Sequence, residues 1–162
     1  SGPTAMLNAV SKADLNVLFD VSADKIANGN GSLITLLVRH AGSSDYRYKV
    51  RFMSDGTIHL VLSKVVSSTE TTISEVAVSG LTYVGGTNLR VRLKISGAGT
   101  TTLAGTVWKV GATEPAAAQI TVSDTEAVLQ SAGSIGFQGY LSGAATNAPV
   151  VLSVDNLTVT SG

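Results

Sequence analysis

Hydrophobic and polar residues alternate along most of this chain with a period of two, the pattern of strands that bury one face. The alternating runs recur at intervals of about ten to fifteen residues, separated by clusters of Gly, Ser, Asn and Asp. The pattern predicts strands over residues 14–21, 32–40, 46–53, 57–65, 73–78, 88–95, 102–110, 119–122, 135–141 and 150–159, with 5–10 as a further candidate.

The turns between these runs carry their own signals. Asp55 and Gly56 separate two alternating runs and are the strongest hairpin signal in the chain. Residues 123–130 predict one or two helical turns, capped by Ser123 or Asp124. No other segment has a 3.6-residue period long enough for a helix. About eleven strands in one domain predict a two-sheet sandwich or a barrel.

Two predicted strands, 46–52 and 88–95, carry six of the eleven basic residues and no acidic residue. Apolar side chains occupy one face of each strand, and the other faces carry Arg47, Lys49, Arg51, Arg90, Arg92 and Lys94. One interpretation is a solvated sheet face, which tolerates Arg and Lys well. The other is a continuous basic strip that attracts an anionic or hydroxyl-rich ligand. The strip requires both strands to lie in one sheet.

Composition narrows the class of protein. The 162 residues suit one domain spanning residues 1–162, and 44% hydrophobic with 14% charged residues is typical of a folded chain. The formal net charge is zero, cysteine is absent, and no apolar run approaches the roughly 18 residues of a membrane span. We expect no nucleic-acid partner and no membrane insertion. Few Lys and Glu residues among many Thr, Ser, Gly and Ala favour an extracellular protein.

Catalysis has little support in the sequence. His40 and His59 lie within strand patterns, where an ordinary sheet histidine is expected. No strand carries two carboxylates at the i, i+2 spacing that would place a glycosidase acid and nucleophile about 5 Å apart. No Gly-x-Ser-x-Gly turn follows a strand. We therefore expect a protein that is not an enzyme.

A set of short motifs in a fixed order resembles a known family, the laminin-G-like or concanavalin-A-like modules of actinobacterial secreted proteins. Similar modules occur in minor tail proteins of actinobacterial phages. The motifs fall between Leu7 and Thr160 and are the segments 21–25, 38–40, 44–47, 49–51, 54–56, 80–83, 89–93, 109–115, 139–143, 145–149 and 154–157. The resemblance implies an all-β fold, an antiparallel two-sheet jelly-roll sandwich. It also implies a partner that is a polysaccharide or another glycan.

The chain departs from the family at its start, where members usually carry additional N-terminal strands. Here the chain enters almost directly at the strand over 16–21. The expectation is a domain that lacks the first strands of the family and exposes backbone groups at a sheet edge. Self-association, or contact with a partner chain, is then expected at the edge nearest the N-terminus.

A structural calcium ion is the one cofactor that the resemblance implies, near the final strand. The alternation breaks at Asp155 and Asn156, which predicts a β-bulge that redirects both side chains. Asp155 is the candidate ligand. Calcium takes six to eight oxygens, so one aspartate supplies only part of the shell.

Glycan recognition normally combines an exposed aromatic ring with hydrogen-bonding side chains. Trp108 and Tyr140 fall on the polar sides of their strands and are the best exposed aromatics, with packing under a loop as the alternative. Arginine stacks on sugar rings and donates a fork of hydrogen bonds. The predicted ligand-binding residues are Arg39, Arg47, Arg90, Arg92, Trp108 and Tyr140.

The leading hypothesis is a non-catalytic carbohydrate-binding module that holds a secreted enzyme or surface protein on a polysaccharide. The alternative is a structural or adhesion module of a phage tail or virion surface. Glycosidase or lyase activity is a third and weaker hypothesis. The first hypothesis predicts an extracellular location, and the second predicts the virion.

Overall fold

The alternating runs of the sequence form eleven strands in the computed structural model, which describes residues 2–162. All the predicted strands form, and the candidate at 5–10 is the first of them. Between β9 and β10 lies a single 3-10 turn, Ala127–Leu129, because residues up to Asp124 already belong to β9. The strands are β1 (Thr4–Lys12), β2 (Leu15–Ala23), β3 (Ser32–Ala41), β4 (Ser44–Phe52), β5 (Thr57–Val66), β6 (Thr69–Thr82), β7 (Leu89–Ser96), β8 (Thr101–Lys109), β9 (Ile120–Asp124), β10 (Gly133–Leu141) and β11 (Leu152–Ser161).

The strands pair into two antiparallel sheets. The first sheet has the order β1-β10-β3-β4-β5-β6, and the second has the order β11-β2-β7-β8-β9. Consecutive strands are neighbours in the hairpins β3-β4-β5-β6 and β7-β8-β9. The connections from β1 to β2 and from β10 to β11 pass from the first sheet to the second. The predicted all-β antiparallel sandwich is confirmed. Within residues 2–162 no helix is long and apolar enough to cross a bilayer.

The core lies between the sheets because one face of nearly every strand is apolar. In β4 the inward residues Tyr46, Tyr48, Val50 and Phe52 are buried, and in β7 the inward residues Leu89, Val91, Leu93 and Ile95 are buried. The two sheets also meet through aromatic rings. Phe19 of the second sheet packs edge-to-face on Phe137 of the first, with ring centroids 5.0 Å apart.

Tyr48 shows how closely the sheets approach. Its ring is fully buried, and its hydroxyl donates a hydrogen bond to the Thr106 carbonyl of the opposite sheet at 3.3 Å. A Cβ atom on Gly105 would lie 2.6 Å from the Tyr48 ring. Glycine at position 105 therefore makes the space that the tyrosine occupies.

The turn at Asp55 and Gly56 joins β4 to β5, as predicted. Gly56 has a φ of 83°, which glycine adopts without strain, and its N–H donates to the Met53 carbonyl at 3.1 Å. The Asp55 carboxylate accepts hydrogen bonds from the Thr57 hydroxyl and backbone N–H at 2.6 and 2.9 Å, which lowers the pKa of Asp55. This turn fixes the register in which Phe52 faces Ile58.

Arg39 lies inside the sandwich, which corrects its predicted role as a ligand-binding residue. Its φ of 50° breaks the alternation of β3, and the side chain is fully buried. The guanidinium donates to the carbonyls of Ala13, Leu129 and Gly97 at 2.7 to 2.9 Å and to the Thr101 hydroxyl at 2.7 Å. Arg39 therefore ties together the turns at one end of the sandwich and is not accessible to a ligand.

The prediction of one continuous basic strip is wrong. The strand with Arg47, Lys49 and Arg51 is β4 in the first sheet, and the strand with Arg90 and Arg92 is β7 in the second sheet. Since both strands turn their apolar residues inward, their basic residues lie on opposite outer faces of the sandwich. The alternation determines which residues share a face of a strand, but it does not determine which sheet the strand joins.

The first strand, β1, forms the sheet edge nearest the N-terminus. β1 pairs with β10, with Thr4 opposite Gln138 and Leu7 opposite Ile135, and itself forms the edge of the first sheet. The other edge strands are β6, β9 and β11. Self-association at the edge nearest the N-terminus stays a prediction.

Replacing Arg39 with methionine should destabilise the fold by about 3–5 kcal/mol, because several buried acceptors lose their only charged donor. The matched control is Arg51→Met, which removes a partly exposed arginine from the same sheet and should cost about 1 kcal/mol or less. Urea denaturation followed by circular dichroism measures both values. Equal stability of the two variants would contradict the role assigned to Arg39.

Candidate functional site

The outer face of the first sheet brings together an exposed aromatic ring and charged side chains. The strand register aligns Tyr140 of β10, Leu33 of β3, Arg51 of β4 and His59 of β5 in one row across the sheet. Tyr140 is 42% exposed, whereas most other aromatic side chains are buried in the core. This row forms the floor of the candidate site.

A cavity of about 280 Å³ opens over this row. Tyr140 lies on one side of it, Lys49, Arg51 and Glu75 lie on another, and Asn30 and Ser142 belong to the loops at its end. The lining offers hydrogen-bond donors and acceptors around one aromatic side chain. We call this the Tyr140 cavity.

Two loops that hydrogen-bond to each other build the end wall of the Tyr140 cavity. The Asn28 side chain donates to the Thr146 hydroxyl at 2.7 Å and accepts from the Thr146 N–H at 2.7 Å. The Ser142 hydroxyl accepts from the Asn30 N–H at 3.4 Å. Gly31 lets the first of these loops lie close to the end of β4, because a Cβ atom at position 31 would lie 2.0 Å from the Phe52 carbonyl oxygen.

Ion pairs hold the side chains at the Tyr140 cavity in position. The Arg51 guanidinium donates to Glu75 Oε1 at 2.8 Å, and His59 Nδ1 lies 2.9 Å from the same oxygen. Each of these three side chains is about one quarter to one third exposed. The cluster keeps unused donor and acceptor positions that a hydroxyl-bearing ligand can reach.

A second group of charges follows on the same face, towards the other end of β4. The Asp45 carboxylate accepts from Arg47 Nε at 2.8 Å and lies 3.0 Å from His40 Nδ1. Glu70 pairs with Lys49 and with Arg47, and it accepts from the Ser63 hydroxyl at 2.6 Å. A cavity of about 240 Å³ lies among these residues.

The pKa of Glu70 reflects both its burial and its partners. Partial burial raises the pKa, but hydrogen bonds from Lys49 and Ser63 and the charge of Arg47 outweigh it, so that the pKa is lowered overall. Glu70 is therefore a carboxylate at neutral pH, and so the face carries both signs of charge.

The predicted binding residues do not form a single site. Tyr140 and Arg47 lie on the outer face of the first sheet, and Tyr140 is the predicted residue that lines the cavity. Arg90 and Arg92 lie on the outer face of the second sheet. Arg90 forms a two-point contact with Asp20 at 2.8 and 3.0 Å, and Arg92 forms one with Glu114 at 2.6 and 3.1 Å.

Trp108 is 7% exposed, so the prediction of an exposed ring is wrong and the alternative, packing beneath a loop, describes it better. The side chain lies on the outer face of the second sheet, opposite Arg90. A shallow cavity beside it includes Ala112, Pro115 and Gln119 from the segment between β8 and β9. Residues 78–81 of β6 line the same cavity, so Trp108 is enclosed from both sheets rather than exposed.

The predicted bulge at Asp155 and Asn156 is confirmed, since the pairing of β11 with β2 shifts register there. Both oxygens of nearby Asp20 accept from Arg90, and one also accepts from the Asn156 side chain at 2.8 Å. Asp155 Oδ1 accepts from the Asn156 N–H, and within residues 2–162 no group of three or more His, Cys, Asp or Glu side chains is placed to hold a metal ion. A calcium ion at Asp155 stays a prediction.

Several residues of the Tyr140 cavity were not among the predicted ligand-binding residues. Lys49 and Arg51 could have been found, because they alternate with Arg47 on one face of β4. His59, which contacts Glu75 beside the cavity, could also have been found, since the Asp55–Gly56 turn places it opposite Arg51. Glu75 could not, because its position depends on register shifts within β6 that no local pattern marks.

The chain is similar to known proteins in structure rather than in sequence. No protein-family model matches the chain, and no curated protein matches it at a significant level. Among solved structures, the chain is similar to the carbohydrate-binding module CBM66 from Bacillus subtilis, with a TM-score of 0.64 and 16% identity over 99% of this chain and 84% of that one.

Two further solved structures share the sandwich. A β-glucanase from Bacillus licheniformis has a TM-score of 0.61 and 8% identity, over 95% of this chain and 69% of that one. The CBM2 module of the evolved Dit of Lactobacillus casei BL23 phage J-1 has a TM-score of 0.54 and 8% identity, over 96% of this chain and 66% of that one. At these identities the likeness establishes the jelly-roll sandwich fold.

Acid should weaken the fold through carboxylates whose pKa is lowered, namely Glu70, Asp20 and Asp124. Their ordinary values are 4.5 for Glu and 3.8 for Asp, so below these values the unfolded chain binds protons that the folded chain does not. The stabilisation is therefore present at neutral pH and is lost as the pH falls through the folded-state values. Thermal unfolding followed by circular dichroism should give a constant midpoint between about pH 7 and 5 and a falling midpoint below about pH 4.5.

The variant Glu70→Gln isolates one of these carboxylates. It should be less stable than the original chain at about pH 7, and the difference should shrink towards about pH 3 as Glu70 becomes protonated. A difference that is the same at both pH values would contradict the lowered pKa of Glu70.

Proposed function

We propose that this protein is a non-catalytic carbohydrate-binding module whose site is the Tyr140 cavity. The observation that carries the proposal is the exposed Tyr140 ring at a cavity lined by Lys49, Arg51 and Glu75. A sugar ring has apolar C–H faces that pack on an aromatic side chain and hydroxyls that need donors and acceptors at its rim. The Tyr140 cavity offers both on one face of a rigid sheet.

The charge balance of this face favours a neutral glycan. Arg47, Lys49 and Arg51 are each within ion-pair distance of Asp45, Glu70 or Glu75, so that three cations meet three anions. Such a face has little net potential to attract a polyanion. It can donate hydrogen bonds from guanidinium and ammonium groups and accept them at carboxylates, which suits hydroxyl groups.

The absence of catalysis is part of the proposal and rests on the state of the carboxylates. A glycosidase needs a carboxylic acid whose pKa is raised, so that it can protonate the leaving group. On this face Glu70 has a lowered pKa and Glu75 pairs with both Arg51 and His59. These arrangements favour binding over acid catalysis, although the similar structures include a β-glucanase.

The wider role follows from binding. The module would hold a secreted enzyme or a surface protein on a polysaccharide, outside the cell. Individual sites would be weak, with dissociation constants of about 1 μM to 1 mM, because a shallow cavity on a sheet buries little area. The carbohydrate-binding module CBM66, to which this chain is similar, supports this assignment by its own name.

The second candidate is an adhesion module of a phage tail or virion surface. Its support is the similarity to a module of the phage J-1 Dit, which is itself named as a carbohydrate-binding module. The two candidates differ in the parent protein rather than in the site. A gene neighbourhood with a glycanase in the same reading frame favours the first, and neighbouring tail genes favour the second.

A glycan array and isothermal titration calorimetry test the proposed site directly. Tyr140→Ala and Arg51→Ala should each weaken binding of the best array glycan at least tenfold, about 1.4 kcal/mol, because they remove the stacking ring and a charged donor. The matched control Arg90→Ala removes an arginine from the opposite face and should leave affinity unchanged. If no glycan binds, or if Arg90→Ala weakens binding as strongly as Arg51→Ala, the site is wrong.

The dependence of binding on salt tests the preference for a neutral glycan. Affinity should change by less than about twofold as the salt concentration rises from about 0.05 M to about 0.5 M, because the charges on this face are already paired within the protein. Calorimetry at three salt concentrations measures this. A steep loss of affinity would instead indicate an acidic polysaccharide.

A further inference from the structure

A second and larger cavity lies at the side of the sandwich where the two sheets separate. It has a volume of about 660 Å³ and lies between the edge formed by β1 and β10 in the first sheet and β11 in the second. The side chains that line it are mostly apolar and none is charged. We call it the apolar cleft, and its principal apolar residues are Phe137, Leu141, Val150, Val151, Leu152 and Val154.

The cleft is open because the edge strands are staggered. β1 begins at Thr4, opposite Gln138, so the last residues of β10 are paired with β3 but have no strand on their other side. On the other sheet β11 begins only at Leu152. Val151 is therefore 57% exposed and Val154 37% exposed. Contiguous exposed apolar surface on a folded protein often marks a binding site.

Tyr140 borders both the Tyr140 cavity and the apolar cleft, at the end of β10. The Tyr140 cavity is also lined by Arg51 and Glu75, and the apolar cleft by Leu141 and Val151. A tyrosine suits such a boundary because its ring is apolar and its hydroxyl is polar. A sugar held against Tyr140 would therefore have its substituent within reach of an uncharged, apolar surface.

We infer that the apolar cleft binds an alkyl chain linked to the same sugar that occupies the Tyr140 cavity, so that the ligand is an alkyl or acyl glycoside. This inference rests on the proposed function. The cleft volume lies in the range of small-molecule pockets, which are mostly apolar with few polar groups. Because Tyr140 borders both cavities, one amphiphilic ligand is favoured over two separate ligands.

Calorimetry with matched glycosides tests the inference. The octyl and methyl forms of β-glucoside and β-galactoside are compared below the concentration at which the octyl forms make micelles. Each buried methylene raises affinity about fourfold, so burial of only a few should make the octyl glycoside bind at least about tenfold tighter than the methyl glycoside.

Variants of the cleft show where the gain arises. Val151→Ser and Val154→Ser should reduce the octyl advantage at least about threefold and leave the affinity for the methyl glycoside unchanged. The matched control is Val84→Ser, which changes an exposed valine that does not line the cleft and should retain the full advantage. An octyl advantage that is equal in all three variants would overturn the inference.

The outcomes separate this inference from the proposed function. If the methyl glycoside binds and the octyl form gains nothing, the sugar site stands and the cleft inference fails. If neither methyl glycoside binds, 1-hexanol is titrated alone while the methyl signals of Val151 and Val154 are followed by NMR. Saturable shifts confined to the cleft would support the alkyl site without the sugar, and their absence would overturn it.

Sedimentation velocity tests whether a second copy of the chain occupies the apolar cleft. Formation of a dimer that Val154→Ser abolishes would mean that a second copy fills the apolar cleft, and this would overturn the inference. A monomer, or a dimer that Val154→Ser leaves intact, together with the octyl advantage, supports it.

Discussion

The buried guanidinium of Arg39 is the interaction on which the arrangement of both sheets depends. It starts from β3 in the first sheet and reaches Thr101 and the Gly97 carbonyl in the second, as well as the turn before β2. A buried charge is tolerated only where its hydrogen-bond donors are satisfied, and here one guanidinium joins acceptors from several turns. The left-handed backbone at Arg39 is part of this arrangement, because it turns the side chain inward from a strand position that would otherwise point out.

The two ends of the sandwich are fixed by different chemistry. A buried cation closes one end, whereas amide and hydroxyl groups of Asn28 and Thr146 join the loops at the other. Between them the outer face of the first sheet is a flat, pre-formed surface whose charges are already paired. A ligand there meets side chains that need little reordering, and a weak site gains most from such preorganisation.

The sequence predicts strands and turns well here, because alternation and turn chemistry are local. It does not predict sheet membership, since the pairing of β2 with β7 is between segments far apart in the chain. Four of the predicted binding residues show the same boundary. Arg47 and Tyr140 lie on the faces that alternation predicts. The burial of Arg39 depends on acceptors from three distant segments, and the burial of Trp108 is not marked by any local pattern.

The positions of the two chain ends have a practical consequence. The Pro3 carbonyl accepts from Gly139, next to Tyr140, whereas Gly162 at the other end of the chain donates to the Asp14 carbonyl beside Arg39. Leu33 and Arg39 are six residue steps apart along β3, a span of about 20 Å. A fluorophore or a sensor surface attached after Gly162 therefore lies away from Tyr140, whereas a bulky group attached before Gly2 lies beside the apolar cleft, which Gly2 and Pro3 line.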